Sequence, residues 1–202
     1  NAQAASTQPM TRLIPLLEEI HACTICAEHL PLPPRPVLQA GERARILIIG
    51  QAPGIRAHES ATPWNDPSGD RLRSWLQVSR EQFYDPQRFA IVPMGFCYPG
   101  KGKSGDLPPR KECAPQWHAP LLEQLPNIGL TLLIGQYAQN HYLKDGHRSL
   151  TERVRNWRDL PEHQLALPHP SPRNIGWFQR NPWFEEEVIP ELRRRVARLL
   201  ED

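Results

Sequence analysis

Four short apolar runs separated by stretches of helical periodicity constrain this chain more than any other feature. They are "RILIIG", ending at Gly50, then "FAIVPMGF", "GLTLLIG" and "HQLALPHP". Near-continuous apolar runs of this length suit strands buried on both faces, as in a parallel sheet, and not half-exposed strands with alternating polarity. Strands alternating with helices then predict an α/β fold, a three-layer α/β/α sandwich around a mainly parallel, four-stranded central sheet. Helical patterns are expected over residues 10–22, where Leu13, Ile14, Leu16, Leu17 and Ile20 recur at helical spacing. Further helices are expected over residues 72–78, 112–125, 136–143 and 150–160. The closing "NPWFEEEVIPELRRRVARLL" reads as an amphipathic helix with Asn181 as N-cap and Pro182 at the first helical position, kinked or broken at Pro190. Residues 30–36, rich in proline, read as a surface connection.

A chain of 202 residues, 39% of them hydrophobic, can bury a full core as one domain. That domain is expected over residues 10–202, after a disordered lead-in or tag remnant over residues 1–9. The net charge of +2 permits a local basic face without demanding a polyanionic partner. No apolar run approaches the roughly 18 residues that a membrane span needs, and the N-terminus lacks a basic-then-apolar secretory pattern. A soluble, cytoplasmic protein with no membrane partner is expected, acting as a monomer.

In parallel sheets the ligand crevice lies beyond the carboxyl ends of the strands. Both "GQAPG" (residues 50–54) and "LPHPSP" (residues 167–172) fall there. Gly50 and Gly54 let backbone amides approach a ligand, and Pro53 stiffens the turn. Nine residues after Gly54 comes Pro63-Trp64, an aromatic carried on a rigid loop and available for stacking, followed by Gly69. The four cysteines fall into a CxxC pair, Cys23 and Cys26, and a second pair with fifteen residues between them, Cys97 and Cys113. In a cytosolic chain that pattern suggests a metal or cluster site more than disulfides.

The GxAPG turn, the Pro-aromatic pair, the following Gly and the HPS triplet at His169 together resemble the uracil-DNA glycosylase superfamily, over about residues 23–192. Within it, the four cysteines most resemble the iron-sulfur group called family 4. The resemblance implies a structural 4Fe-4S cluster on Cys23, Cys26, Cys97 and Cys113, with zinc on the same thiolates as the physical competitor. It implies a DNA-repair glycosylase, probed by DNA carrying a damaged or deaminated base, that hydrolyses the N-glycosidic bond without cutting the strand. Trp64 would stack on the flipped base, with Gly50, Gln51 and Asn65 beside it. His169 would donate to the base O2, and the amides near Gln51 and Ala52 would complete an anion site.

Two departures from the family pattern bear on chemistry. The superfamily's best-known branch carries Asp after the Gln of this first motif, where this chain has Ala52; family 4 carries Glu at the position of Gln51. The acidic residues that family 4 places shortly after Gly54 are replaced by Ala57 and His58, so Glu59 or His58 is left to orient the water. Family 4 also commonly has Asn at the position of Pro93, and Asn65 or Asn140 is the candidate substitute. Uracil and another deaminated base, such as hypoxanthine or xanthine, both remain open. The charged loop over residues 98–112, with Lys101, Lys103, Arg110 and Lys111, suits phosphate contact. Ser171 and the following "SPRNIGWFQR" resemble the family's DNA-penetrating loop, with Ile175 and Trp177 as apolar wedges between Arg173 and Arg180. A catalytically weakened member that binds DNA or a free base is the alternative. An unrelated α/β hydrolase or nucleotide-binding protein is disfavoured, since neither GxSxG nor GxxxxGK[ST] occurs.

Overall fold

The computed structural model describes residues 12–146 and 148–201; the expected lead-in over residues 1–9 lies outside them. In chain order the elements begin with α1 (Leu13–His21), β1 (Ile46–Ile49), α2 (Ile55–Ser60), α3 (Pro67–Leu76), α4 (Arg80–Phe83) and β2 (Phe89–Ile91). A small hairpin, β3 (Lys101–Gly102) and β4 (Gly105–Asp106), precedes α5 (Cys113–Glu123), β5 (Leu130–Ile134) and α6 (Gln136–Tyr142). Then come α7 (Leu150–Arg155), β6 (Gln164–Leu167), α8 (Ile175–Arg180) and α9 (Ile189–Leu200). The apolar runs form one four-stranded sheet in the order β2-β1-β5-β6, with every pairing parallel. All of β1 and β2 is buried, so both sheet faces need a helical cover. The fold is the expected three-layer α/β/α sandwich.

Local chemistry explains where the elements begin. Asp66 caps α3 by accepting the Gly69 N–H at 2.8 Å, with Pro67 in the first turn. Ser79 and Gln82 form a reciprocal capping box that starts α4. Cys113 opens α5, so the fourth cysteine sits on a helix end.

Several expected boundaries change. A helix absent from the expected set, α2, starts directly after Gly54. The charged segment expected as a loop over residues 98–112 contains the β3–β4 hairpin, closed through Gly105 at φ +112°. The segment after the HPS triplet is helical, a short 3-10 turn (Pro172–Asn174) followed by α8. Asn181 does not cap the last helix; its side-chain amide donates to the Trp177 carbonyl at 2.9 Å. The closing helix is interrupted, as expected near Pro190, and the interruption takes a specific form. Residues Phe184–Val188 are π-wound and pass into α9, with Pro190 in its first turn. Proline supplies no N–H for the preceding turn, which widens instead of breaking.

One buried polar chain ties the sheet to its helices. His118 on α5 is 3% exposed, and its Nε2–H donates to the Pro93 carbonyl at 2.8 Å while Nδ1 meets the Tyr142 hydroxyl. A carbonyl can only accept, so Nε2 carries a proton, and because burial disfavours the charged ring, Nδ1 is left to accept from Tyr142. Burial lowers the His118 pKa from 6.5 to about 4, with the Pro93 carbonyl opposing and His141 assisting. The unfolded chain therefore takes up this proton first. The stabilisation is complete above pH 6.5 and is lost as pH falls towards 4. Thermal unfolding of the wild-type protein should show an acid slope over this range, and His118→Phe should reduce it while lowering stability at pH 7 by roughly 1–3 kcal/mol, because two buried polar partners lose their bonds.

Candidate active site

A cleft of about 760 Å³ opens where all four strands end. Gly50 and Gln51 follow β1, Pro93 follows β2, Gly135 and Gln136 follow β5, and His169 follows β6; all of them line the cleft. Trp64 is held there by unusual backbone geometry. Its φ is +58°, a left-handed conformation that a bulky residue rarely adopts. The buried Arg73 guanidinium, 4% exposed, donates to the Trp64 carbonyl at 3.0 Å, to the Tyr84 hydroxyl at 3.0 Å and to Asp70 at 2.8 Å. Tyr84 in turn donates to the Pro63 carbonyl at 2.7 Å. A Cβ on Gly69 would stand 1.7 Å from the Trp64 carbonyl oxygen, and one on Gly50 would stand 2.9 Å from the indole ring. Both glycines are required by close approach of Trp64.

The indole lies beside His169, with ring centroids 5.4 Å apart and planes inclined by 33°. The Ser171 N–H donates to His169 Nδ1 at 3.1 Å, and the Asn174 side chain donates to the His169 carbonyl at 2.7 Å. Desolvation lowers the His169 pKa to about 4, against the pull of Asp66. The imidazole is neutral, Nδ1 is an acceptor, and the remaining proton is on Nε2. A neutral donor beside an aromatic face suits an electron-rich planar ligand on which negative charge develops.

The cleft gathers Gly50, Gln51, Ala52, Trp64, Lys101, Ser171, Arg173 and His169 from the expected set. Others lie elsewhere. The His58 ring is 8% exposed and faces Tyr98 at 6.1 Å, and neither it nor Glu59 lines the cleft. Both sit on α2, whose early start turns them away from the strand ends. Asn65 accepts from Arg80 at 3.1 Å and Asn140 from Arg153 at 2.7 Å, so each side-chain oxygen is engaged outside the cleft. Lys103 is exposed in the hairpin turn. Arg110 pairs with Glu112 at 2.7 Å at the cysteine cavity. Trp177 donates to Thr151 at 2.9 Å and packs on Phe178, Trp183 and Phe184, whereas Ile175 is 56% exposed. Asp66 and Asp106 line the cleft without having been singled out from sequence. The glycine-spaced "GKGKSGD" was the available signal for the hairpin that carries Asp106.

A second cavity is lined by all four cysteines. Cys23 follows α1, Cys97 follows β2, and the proline-rich stretch expected as a surface connection closes the cavity through Leu30, Pro34 and Pro36. No disulfide joins the four. The Phe96 N–H donates to Cys113 Sγ at 3.3 Å and the Trp117 indole N–H to Cys23 Sγ at 3.4 Å. The Arg35 backbone approaches Cys97 and the Arg110 side chain approaches Cys26. N–H donors directed at sulfur stabilise thiolates. Burial meanwhile pushes the Cys97 thiol up to about 11 and Cys113 up to about 12. Among the described residues, no group of three or more His, Cys, Asp or Glu side chains is arranged to hold a single metal ion. The four thiols and the N–H groups directed at them form the kind of donor set that sulfur-ligated groups use.

Arg73→Met should lower stability by roughly 2–4 kcal/mol, since the Trp64 carbonyl and Tyr84 hydroxyl lose a buried charged donor. Chemical denaturation measures this, and faster amide exchange confined to residues 63–70 would identify the released segment.

No helix among the described residues is long and apolar enough to cross a membrane. The family model of the Uracil DNA glycosylase superfamily matches residues 38–193, a span that contains the whole sheet, the GQAPG turn, Trp64 and His169. The chain belongs to the uracil-DNA glycosylase superfamily, a family of DNA base-excision enzymes.

Proposed function

We propose that this protein is a monofunctional DNA-repair glycosylase that takes a flipped, deaminated base into the cleft and hydrolyses its N-glycosidic bond. The observation that carries this reading is the pairing of Trp64 with a neutral His169 whose free N–H is on Nε2. The indole offers a stacking face for the extruded base. As the glycosidic bond lengthens, negative charge moves onto the base, and His169 Nε2–H and the amides of Gln51 and Ala52 stabilise it without reorganising. Lys101, Lys103, Ser171 and Arg173 grip phosphates around the cleft mouth. Exposed Ile175, at the start of α8, is the apolar side chain suited to enter the duplex, whereas Trp177 belongs to the packing beneath it.

Pro93 has no N–H and no polar side chain, and its carbonyl already accepts from His118, so it offers no donor to the base edge. Uracil is the first substrate to test, with hypoxanthine and xanthine beside it. His169→Ala should lose on the order of 100-fold or more in single-turnover cleavage of the preferred oligonucleotide while retaining DNA binding. A parallel loss of binding and folding would make His169 structural and remove the reading.

Cys23, Cys26, Cys97 and Cys113 would hold a 4Fe-4S cluster of the family 4 type. Its contribution when bound is to cross-link segments that are distant in sequence. A zinc ion would draw its sulfurs to about 2.3 Å from a single point; the family-like spacing of the two cysteine pairs favours the cluster. Anaerobically isolated protein should carry iron and labile sulfide, and Cys113→Ser should lower its unfolding temperature. One equivalent of zinc without iron would overturn the assignment.

A further inference from the structure

His58 and Glu59, the residues that the sequence offered for water activation, stand outside the cleft. The carboxylates among its lining residues are Asp66 and Asp106. Asp66 is committed to the backbone, since Oδ1 accepts the Gly69 N–H that starts α3. Asp106 is placed differently. It ends the β3–β4 hairpin, directly across from Lys101, and its Oδ2 lies 3.4 Å from where a Cβ on Gly54 would be. Gly54 closes the turn whose amides near Gln51 and Ala52 form the anion site. Across the hairpin, the Arg173 guanidinium lies 3.2 Å from the Cβ position of Gly105.

We infer that Asp106 is the catalytic residue that activates the hydrolytic water, carried into the cleft by the hairpin strung between Cys97 and Cys113. This rests on the glycosylase reading above. As the bond from the anomeric carbon to the base nitrogen breaks, its electron pair leaves with the base, which His169 stabilises. The water oxygen bonds to the anomeric carbon and its proton passes to the Asp106 carboxylate. That proton then leaves for the departing base anion or for solvent. The products are a neutral base and an abasic sugar, and the carboxylate is regenerated. The groups facing Asp106 are Arg173 from the 3-10 turn, Lys101 from β3, Asp66 at the start of α3, and Tyr98. Desolvation raises the Asp106 pKa above 3.8, Asp66 adds to the rise, and Arg173 and Lys101 oppose it. Accepting a proton from water requires the carboxylate form, so activity should fall as pH drops through the raised value.

The test is single-turnover cleavage from pH 4 to 8 by wild type, Asp106→Asn and Asp66→Asn, with DNA affinity measured in parallel. Asparagine keeps the helix cap at position 66, and Asp106 is exposed to the cleft, so both variants should fold. Asp106→Asn should lose about 100-fold or more in rate, bind DNA as wild type does, and lose the acid limb of the profile. A wild-type rate in Asp106→Asn, a rate loss with the acid limb intact, or a loss confined to Asp66→Asn would each overturn the assignment and leave the glycosylase reading standing. Absence of abasic product from wild type on uracil, hypoxanthine and xanthine oligonucleotides would instead remove the glycosylase reading, and this inference with it.

Discussion

The buried guanidinium of Arg73 is the contact on which the cleft depends. A tryptophan at φ +58° persists only where its surroundings fix it. Arg73 does so by binding the Trp64 carbonyl, while Gly69 and Gly50 clear the space that the carbonyl and indole occupy. The cation is 4% exposed and compensated by Asp70, by two neutral oxygens and by the Phe83 ring at 5.1 Å. Backbone strain, close packing and a buried charge therefore all serve one aromatic side chain. Without that arrangement the indole would not lie against Gly50 and His169, and the ends of the four strands would enclose a featureless hollow.

The two cavities are mechanically related. Cys97 and Cys113 bracket the hairpin that supplies Lys101 and Asp106 to the cleft, and Phe96, next to Cys97, donates to Cys113. Anything that ties these cysteines together restrains both ends of the hairpin. On the other side, His118 from the helix begun by Cys113 fixes the Pro93 carbonyl at the end of β2. The cysteine cavity thus acts on the cleft from two directions through ordinary hydrogen bonds. A group bound by the four thiols would therefore shape the cleft without taking part in electron transfer.

Local pattern was enough for much of this protein. The apolar runs specified four buried strands because a strand covered on both faces has no polar side to display, and helical periodicity between them left a parallel sheet as the available solution. The strand-end rule then located the cleft, and Gly50, Gln51, Trp64 and His169 were legible because each lies within a few residues of a strand end. Cysteine spacing was informative too, since the two pairs it singled out line one cavity.

What sequence left undecided is what depends on contacts between distant segments. His58 and Glu59 were plausible water ligands by position, but the early start of α2 turned one ring against Tyr98 and left the other side chain outside the cleft. Trp177 looked like a wedge until α8 packed it on Trp183 and Phe184, leaving Ile175 exposed two residues earlier. Asp106 and Arg73 carried no motif at all; a hairpin between two cysteines and a buried cation under a strained backbone become meaningful only once the chain has closed around them. The sequence by itself determined the layers and the mouth of the site, because those follow from local periodicity. The tertiary structure decided which polar groups face into that mouth, because orientation is set by packing partners far away in the chain.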